Sequence, residues 1–256
     1  TLNEPNLGLL LQEMGFMPSD EVFAKMPSRA AAARAVGSDR FSAFPNCQHA
    51  PARDTFLKAH RLAVNAIKSK ADFPVGMTLA LMDHQAVPGG EARRDRVRAA
   101  VDDIFLDLAK EDDFVGVQTY SRVRYGAEGV LGAEEGVERT QMGYEFYPEA
   151  LEGTIRYAAG YTGKPVIVTE NGLGSEDDSK RIEFVQRALK GVANCLSDGI
   201  DVKGYCYWSV FDNFEWGMGY RPKFGLIAVD RTTQTRTLKP SAEWLGGIAR
   251  ANGANL

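Results

Sequence analysis

The stretch KPVIVTENG, residues 164–172, decides the fold of this chain. A short β-branched apolar run that is entered through Pro165 is typical of a buried parallel strand. The run ends at Glu170, and the Asn171-Gly172 pair that follows predicts a sharp turn. In parallel α/β folds, functional groups gather at the carboxyl ends of strands. Glu170 is therefore either an active-site carboxylate or an ordinary exposed turn residue, and the spacing alone leaves both interpretations open.

Similar apolar runs and amphipathic segments alternate on both sides of this strand. Apolar runs predict three further strands, at residues 75–81, 114–120 and 202–209. Helical spacing of apolar residues predicts helices at residues 53–71, 91–111, 147–161, 180–197 and 240–251. Strands that alternate with helices indicate a parallel α/β architecture, and we find no linker that would divide residues 1–256 into two domains.

The number of strands suggests an incomplete barrel. Four full strands are predicted, with the tip of another at residues 1–4, whereas a closed (β/α)8 TIM barrel has eight. We predict that the remaining residues form the connections between these strands and helices. We expect loops with one or two short helices over 7–52, a polar Gly-rich loop to about residue 142, and a turn or short hairpin over 224–235. We therefore predict half of a barrel.

Composition excludes several classes of protein. The 256 residues carry a net charge of −4 with mixed signs, which offers no basic surface for nucleic acid. No apolar run approaches the ~20 residues that span a bilayer. The scattered cysteines favour reduced thiols in a cytoplasmic protein over a disulfide framework, and the histidines form no metal-ligand motif; these residues are Cys47, Cys195, Cys206, His49, His60 and His84.

The predicted strand ends carry the side chains of a carbohydrate site. Glu4 and Glu170 follow two strands. Trp208 lies at the end of a third strand, and the run DNFEW at 212–216 comes shortly after it. Sugar rings pack their C–H faces on aromatic rings, and their hydroxyls pair with carboxylates and amides. Glycoside cleavage needs one carboxyl group as proton donor and a second as nucleophile or base. The alternative is a set of core tryptophans with incidental acids, which the interleaved acidic residues make a poor fit.

Several segments together resemble glycoside hydrolase family 1, a family of β-glycosidases. The run TLNEP at 1–5 resembles the strand-four acid/base motif of that family, and VTENG at 168–172 resembles its strand-seven nucleophile motif. Its sugar-binding loop, its closing segment and one further stretch resemble residues 207–216, 223–230 with 239–242, and 142–149. The resemblance implies an α/β fold that covers the C-terminal half of a TIM barrel, from the end of strand 4 to strand 8.

The resemblance implies a retaining mechanism on unphosphorylated β-glucosides or related β-glycosides, with no cofactor and no metal. Glu170 is the expected nucleophile and Glu4 the expected acid/base, while Tyr120 orients the nucleophile. The expected sugar-binding residues are Asn3 for the 2-hydroxyl, Glu215 for the 4- and 6-hydroxyls, Trp208 for stacking, and Trp216 for the 3-hydroxyl.

Two positions depart from the family pattern, and a third narrows the choice of substrate. Gln118 and Tyr144 stand where the family usually has Asn and Trp. Relatives that act on 6-phosphorylated glycosides usually have Ser at the position of Glu215, and a carboxylate there repels phosphate. Lys223, close to that loop in sequence, keeps a 6-phospho-β-glycosidase as an alternative.

The resemblance also implies that the barrel's first strands lie outside this sequence. The chain begins at Thr1, inside the acid/base motif, with no initiator Met or signal peptide. Three interpretations follow: a truncated β-glycosidase, an enzyme completed by a front-half chain or by self-association, or a non-catalytic remnant that binds sugar. The expected substrate is a small carbohydrate such as a β-glucoside or an oligosaccharide, with no nucleic acid and no membrane as partner.

Overall fold

The computed structural model describes residues 1–42, 44, 50–254 and 256, with the side chain of Asp20 excepted. The helices in this part of the chain are α1 (Leu7–Glu13), α2 (Asp20–Ala24), α3 (Pro27–Ala35), α4 (Ala50–Lys68), α5 (Glu91–Arg98), α6 (Ile104–Ala109), α7 (Ala150–Thr162), α8 (Asp178–Ser197) and α9 (Pro240–Arg250). Cys47 and His49, considered above as thiol and metal-ligand candidates, lie outside the described residues.

The strands of the described residues form three sheets. They are β1 (Thr78–Ala80), β2 (Asp83–Ala86), β3 (Val115–Gln118), β4 (Arg122–Tyr125), β5 (Val130–Leu131), β6 (Val166–Asn171), β7 (Val202–Tyr207), β8 (Ile227–Val229) and β9 (Arg236–Leu238). The principal sheet is parallel, in the order β1-β3-β6-β7. Asn3 adds a parallel bridge to Thr78 at its β1 side. The prediction of four strands plus the tip of another is confirmed.

The core lies between this sheet and the helices on one of its faces. Alternate strand residues point to the same side of a sheet, and here that side is apolar. Leu79, Val117 and Val168 are fully buried against Leu151 of α7 and Ala188 of α8. Since α6, α7 and α8 each follow one strand and precede the next, the chain winds as successive βα units. The result is part of a βα barrel with the carboxyl ends of its strands at one edge.

A second sheet lies partly where the sequence predicted a loop. The region after Tyr120 was predicted to be a loop, but β4 and β5 form a three-stranded sheet with β2, in the order β2-β4-β5. β2 and β4 carry Asp and Arg residues and β5 has only two residues, so none of them has the apolar run that marked the other strands. Their pairing comes from the close approach of two strand ends, which local composition does not encode.

Two helical regions also differ from prediction. Residues 7–42 contain three short helices, more than the one or two expected. The predicted helix 91–111 is interrupted by a π-helical segment at Ala99–Asp103. Asp102 in that segment is completely buried and lies 3.1 Å from Nε2 of His84. Asp102 therefore does not belong to the solvated face that the charged residues of an amphipathic helix are expected to form.

The end of the chain agrees with prediction. The hairpin expected after residue 224 is present as the antiparallel pair β8–β9, and α9 follows it. Tyr207, Leu245 and Ile248 belong to a second apolar cluster that joins α9 to α8 and β7. No helix among the described residues is long and apolar enough to cross a membrane.

Candidate active site

Glu170 lies at the carboxyl end of β6, within the strand rather than after it. Its two carboxylate oxygens are held by different donors. The Tyr120 hydroxyl donates to Oε2 at 2.6 Å, and the Gln118 side-chain amide donates to Oε1 at 2.9 Å. Burial raises the pKa of Glu170, the hydrogen bond from Tyr120 lowers it, and the charge of Glu215 raises it. The donors fix the direction of this carboxylate.

Glu4 enters the site from a strained turn. Its backbone φ is 50°, an uncommon value for a residue other than glycine, and its N–H donates to the Thr78 carbonyl at 2.9 Å. Burial raises the pKa of Glu4 to about 8, with further contributions from the negative charges of Glu170 and Glu215. Among the described residues no donor bonds the Glu4 carboxyl. A carboxyl group in such a place is protonated at neutral pH.

A chain of hydrogen bonds connects the two strand ends. The Gln118 amide donates to Oδ1 of Asn3 at 2.8 Å as well as to Glu170. The Thr78 hydroxyl donates to the same Asn3 oxygen at 2.8 Å. The Gln118 side chain therefore reaches both the Asn3 amide and the carboxylate of Glu170.

The loop after β7 brings a third carboxylate and two tryptophans. Glu215 accepts from the Asn213 side-chain amide at 2.6 Å, and the Glu215 N–H donates to the Gly219 carbonyl at 2.7 Å. Trp208 is half-buried, whereas Trp216 is 70% exposed. The alternative in which these tryptophans belong to the core is therefore wrong.

Buried charges anchor that loop. Oδ1 of Asp212 accepts from the Gly225 N–H at 2.9 Å and from Nζ of Lys239 at 2.8 Å. Arg181 of α8, whose side chain is fully buried, is hydrogen-bonded to Asp178 and to the Lys223 carbonyl. These contacts connect the loops that follow β6 and β7 and so fix Glu215 relative to Glu170.

A separate segment, residues 139–147, also contributes to the site. Nε of Arg122 donates to Oε2 of Glu145 at 2.6 Å, and the Ser121 hydroxyl donates to the Glu145 carbonyl at 2.9 Å. Glu145 is nine-tenths buried. Its pairing with Arg122 holds the neighbouring Tyr144 in the site, where burial raises the pKa of the Tyr144 phenol to about 12.

All seven residues that the sequence analysis assigned to the site line one cavity of about 330 Å³. They are Asn3, Glu4, Tyr120, Glu170, Trp208, Glu215 and Trp216. The charged residues in its lining, as far as the structure describes it, are three carboxylates. The rest of the lining consists of one face of α1 with its C-terminal end and of Ala80, Leu81, Met82, Gln118, Met142, Tyr144 and Phe224. The sequence did not lead us to expect this helix face in the site, although the helical spacing of Leu7, Leu10, Leu11 and Met14 indicates an apolar face.

The histidines and thiols of the described residues lie apart from this cavity. His60 is buried and pairs with Asp112 at 2.8 Å, an arrangement typical of a structural histidine. Nδ1 of His84 bonds the Tyr125 hydroxyl at 2.7 Å. No group of described side chains has the composition of a metal site. Cys195 is a buried thiol and Cys206 an exposed one.

Two carboxyl groups with different surroundings, a third carboxylate and exposed aromatic rings at the carboxyl ends of parallel strands define a glycosidase type of site. Comparison with known proteins agrees. Residues 106–254 match the model of glycosyl hydrolase family 1. The chain therefore belongs to glycosyl hydrolase family 1.

Individual relatives support this assignment. The 1,4-beta-D-glucan glucohydrolase of Thermotoga neapolitana is 32% identical over 178 residues, which are 64% of this chain and 40% of that protein. The 6-phospho-beta-galactosidase of Lacticaseibacillus casei is 31% identical over 57% of this chain and 39% of its own length. The crystal structure of beta-glycosidase BGL167 superposes on 100% of this chain with a TM-score of 0.93 and 50% identity.

The chain is shorter than these relatives. It spans 62% of the BGL167 chain and about two fifths of the Thermotoga neapolitana glucohydrolase. The principal sheet accordingly contains four of the strands of a TIM barrel.

Proposed function

We propose that this chain carries the catalytic carboxylates of a retaining β-glycosidase that acts on unphosphorylated β-glucosides or related β-glycosides. The proposal rests on the different surroundings of two carboxyl groups that line one cavity. Glu170 is held by two hydrogen-bond donors, whereas Glu4 has no donor within the described part of the chain and burial raises its pKa to about 8. An ionised nucleophile beside a protonated acid is what the first step of retention requires.

In the first step, Glu170 attacks the anomeric carbon and the glycosidic C–O bond breaks. Glu4 gives its proton to the departing oxygen, so the leaving group departs as a neutral alcohol. In the second step, ionised Glu4 takes a proton from water, and the water oxygen displaces Glu170 from the anomeric carbon. Two displacements restore the β configuration. Retaining enzymes place the two carboxyl groups roughly 5–5.5 Å apart.

Neighbouring residues prepare the nucleophile. Tyr120 and Gln118 direct the Glu170 oxygens, and the Tyr120 hydrogen bond favours the ionised form of Glu170. Asn3 is assigned to the sugar 2-hydroxyl. Its side-chain oxygen accepts from Gln118 and Thr78, and since no described residue accepts from its NH2 group, that group can donate to a ligand.

The loop after β7 is assigned to the sugar ring. Trp208 supplies an aromatic face for stacking, Glu215 accepts from the 4- and 6-hydroxyls, and Trp216 reaches the 3-hydroxyl. The Asn213 side chain holds Glu215 with one donor at 2.6 Å. A carboxylate has further acceptor positions, so Glu215 retains capacity for two sugar hydroxyls.

Charge favours an unphosphorylated sugar. The described lining of the cavity has no basic side chain, and Glu170 and Glu215 bring negative charge to it. Lys223, the residue that kept a phosphorylated substrate as an alternative, donates from Nζ to the Tyr220 carbonyl at 2.9 Å and lines a different cavity. A phosphate group would meet repulsion in this site.

A partner is part of the proposal. The exposed edge of β7 has no neighbouring strand among the described residues, and an unpaired strand edge is a site for further pairing. We assign this edge to the remaining barrel strands, supplied by a front-half segment or by a second copy of the chain.

The experiment is hydrolysis of p-nitrophenyl β-glucoside by the 256-residue chain, followed by ¹H NMR of the sugar released at early times. We expect β-glucose first, with mutarotation later. Glu170→Gln, which keeps the shape of the side chain, serves as control. Release of α-glucose first, or full activity of Glu170→Gln, contradicts the proposal. Size-exclusion chromatography of the same sample tests self-association, and activity only after a front-half polypeptide is added indicates a two-chain enzyme.

A further inference from the structure

Gln118 ends β3 and is the most enclosed polar residue in the described lining of the cavity. It is 3% exposed, whereas the other polar residues of that lining are partly or largely exposed. Its side-chain nitrogen donates to Oδ1 of Asn3 at 2.8 Å and to Oε1 of Glu170 at 2.9 Å. A glutamine NH2 group has two N–H bonds, so these two contacts engage both of them.

The other end of the same amide has no such contact. The side-chain oxygen of Gln118 is buried and lacks a hydrogen-bond partner among the described residues. Buried polar atoms are normally paired, and an unpaired one costs free energy. Exchange of the oxygen and the nitrogen would place the oxygen against two other acceptors, on Asn3 and Glu170. The direction of this amide is therefore set by the two acceptors that it joins.

At Asn3, the contact decides which way the side-chain amide faces. The Thr78 hydroxyl donates to the same Asn3 oxygen at 2.8 Å. A carbonyl oxygen has two lone pairs, so Gln118 and Thr78 together fill it. The NH2 group of Asn3 lies on the other side of this planar amide, and Asn3 is exposed and lines the cavity. Gln118 and Thr78 therefore turn the Asn3 donors toward a ligand.

At Glu170, the contact holds the oxygen that Tyr120 does not reach. Tyr120 donates to Oε2, and Gln118 donates to Oε1. Without Gln118, Oε1 would have no side-chain donor in the described part of the chain, and one hydrogen bond alone would fix the rotation of the carboxylate. A change at Gln118 therefore acts on the nucleophile and on Asn3 at once.

We infer that Gln118 is a positioning residue that makes the attack of Glu170 depend on the sugar 2-hydroxyl. This inference rests on the proposed function, in which Asn3 binds that hydroxyl and Glu170 attacks the neighbouring anomeric carbon. Contacts to the 2-hydroxyl strengthen in the transition state. Because one amide holds both groups, they are aligned before the sugar binds, and such alignment lowers the barrier. The chain thereby selects a sugar with a 2-hydroxyl over its 2-deoxy counterpart.

The test compares p-nitrophenyl β-glucoside with its 2-deoxy and 6-deoxy derivatives. We measure kcat/KM for each substrate with the 256-residue chain, alone and with an added front-half polypeptide. The 2-hydroxyl ratio is kcat/KM for the glucoside divided by kcat/KM for the 2-deoxy derivative, and the 6-hydroxyl ratio is defined in the same way. Intrinsic differences in substrate reactivity are the same for every variant, so they cancel when two proteins are compared.

Gln118→Met keeps the length of the side chain and removes the amide. We expect the 2-hydroxyl ratio to fall about tenfold, as for the loss of one well-placed hydrogen bond, while the 6-hydroxyl ratio changes by less than about threefold. Hydrolysis of the 2-deoxy substrate also slows, by about tenfold, because Glu170 loses one of its donors. A glutamine that only supported the end of β3 would lower all three rates by one factor and leave both ratios constant.

A second variant acts on Asn3 alone. Thr78→Val removes the other donor to Asn3 and keeps the β-branched shape that suits a strand. We expect its 2-hydroxyl ratio to fall about three- to tenfold, with a smaller loss on the 2-deoxy substrate than in Gln118→Met, since Glu170 keeps both donors. Gln186→Met, on the exposed side of α8, is the control and leaves the rates unchanged. Thermal unfolding of each variant shows that the fold is retained, and if Gln118→Met fails to fold, Thr78→Val decides.

The inference is overturned by a 2-hydroxyl ratio that stays within about threefold of that of the unchanged chain in either folded variant, or by an equal fall of both ratios. These outcomes require an active chain, so they leave the proposed function standing. Full activity of Glu170→Gln, or no hydrolysis by the unchanged chain even with the front-half polypeptide, contradicts the proposed function and the inference with it.

Discussion

Glu4 and Glu170 belong to one cavity but are built into the chain in different ways. Glu170 ends a strand of the principal sheet and receives donors on both oxygens. Glu4 sits in a turn with positive φ, at the side of the sheet where only Asn3 bridges β1, and its carboxyl lacks a donor among the described residues. Burial raises the pKa of both carboxyl groups, but at Glu170 the hydrogen bond from Tyr120 opposes that rise, whereas at Glu4 the charges of Glu170 and Glu215 add to it and bring the pKa to about 8. Backbone placement, rather than residue type, separates the two roles.

The largest effect is expected at Glu170. Glu170→Gly removes the nucleophile, and we expect the hydrolysis rate to fall by about 10⁴-fold or more. Added azide can enter the space left by the side chain and attack the anomeric carbon, so it restores turnover and yields an α-glucosyl azide. Product analysis by NMR checks this. Loss of activity without azide rescue, in a variant that still folds, contradicts the role of Glu170.

Removal of the proton donor has a smaller effect that depends on the leaving group. Glu4→Gln is expected to slow cleavage of alkyl glucosides by about 10²–10⁴-fold. Dinitrophenyl glucoside needs little protonation, so its first step changes much less. Steady-state kinetics with both substrates measures this contrast. Equal losses for the two substrates would mean that Glu4 does not protonate the leaving oxygen.

The donors on Glu170 are expected to set the acidic limb of the pH profile. The Tyr120 hydrogen bond lowers the pKa of Glu170, so Tyr120→Phe raises it and shifts the acidic limb of kcat/KM to higher pH. The rate at neutral pH falls about 10- to 100-fold. A pH–rate profile of both proteins distinguishes this positioning role from lost packing, which lowers the rate without a shift of the limb.

The smallest effect concerns stability. The pKa of Glu4 is raised from 4.5 to about 8 in the folded chain, so the folded state binds more protons than the unfolded state between those values. The stabilisation is complete below pH 4.5 and is lost as the pH rises through about 8. The Glu4→Gln variant lacks this pH-dependent contribution to the free energy of unfolding. We expect its unfolding free energy, relative to the unchanged chain, to rise by roughly 1–3 kcal/mol from pH 5 to pH 9.

Urea unfolding of both chains across this pH range measures the difference, since all other groups titrate in both proteins. A constant difference between the two unfolding free energies would show that the Glu4 carboxyl is ionised in the folded chain.

The sequence predicted the parts of the fold that rest on local patterns. The apolar run that ends at Glu170, the amphipathic helices and the strand count are properties of short segments, and the structure confirms them. The sheet of β2, β4 and β5 was missed because its strands pair through tertiary proximity. The seven predicted site residues share one cavity. Motif resemblance identified them, whereas the bonding of Gln118 to both Asn3 and Glu170 depends on distances that a sequence does not contain.

The most direct test of the division between the two carboxyl groups is covalent labelling. The 256-residue chain is incubated with 2-deoxy-2-fluoro-β-glucosyl fluoride, digested with protease and mapped by mass spectrometry. We expect one fluoroglucosyl group per chain, attached to the peptide that contains Glu170, and the same label at a similar rate in Glu4→Gln because fluoride departs without a proton. A label on Glu4 or Glu215, or a chain that stays unlabelled even after a front-half polypeptide is added, would contradict this assignment.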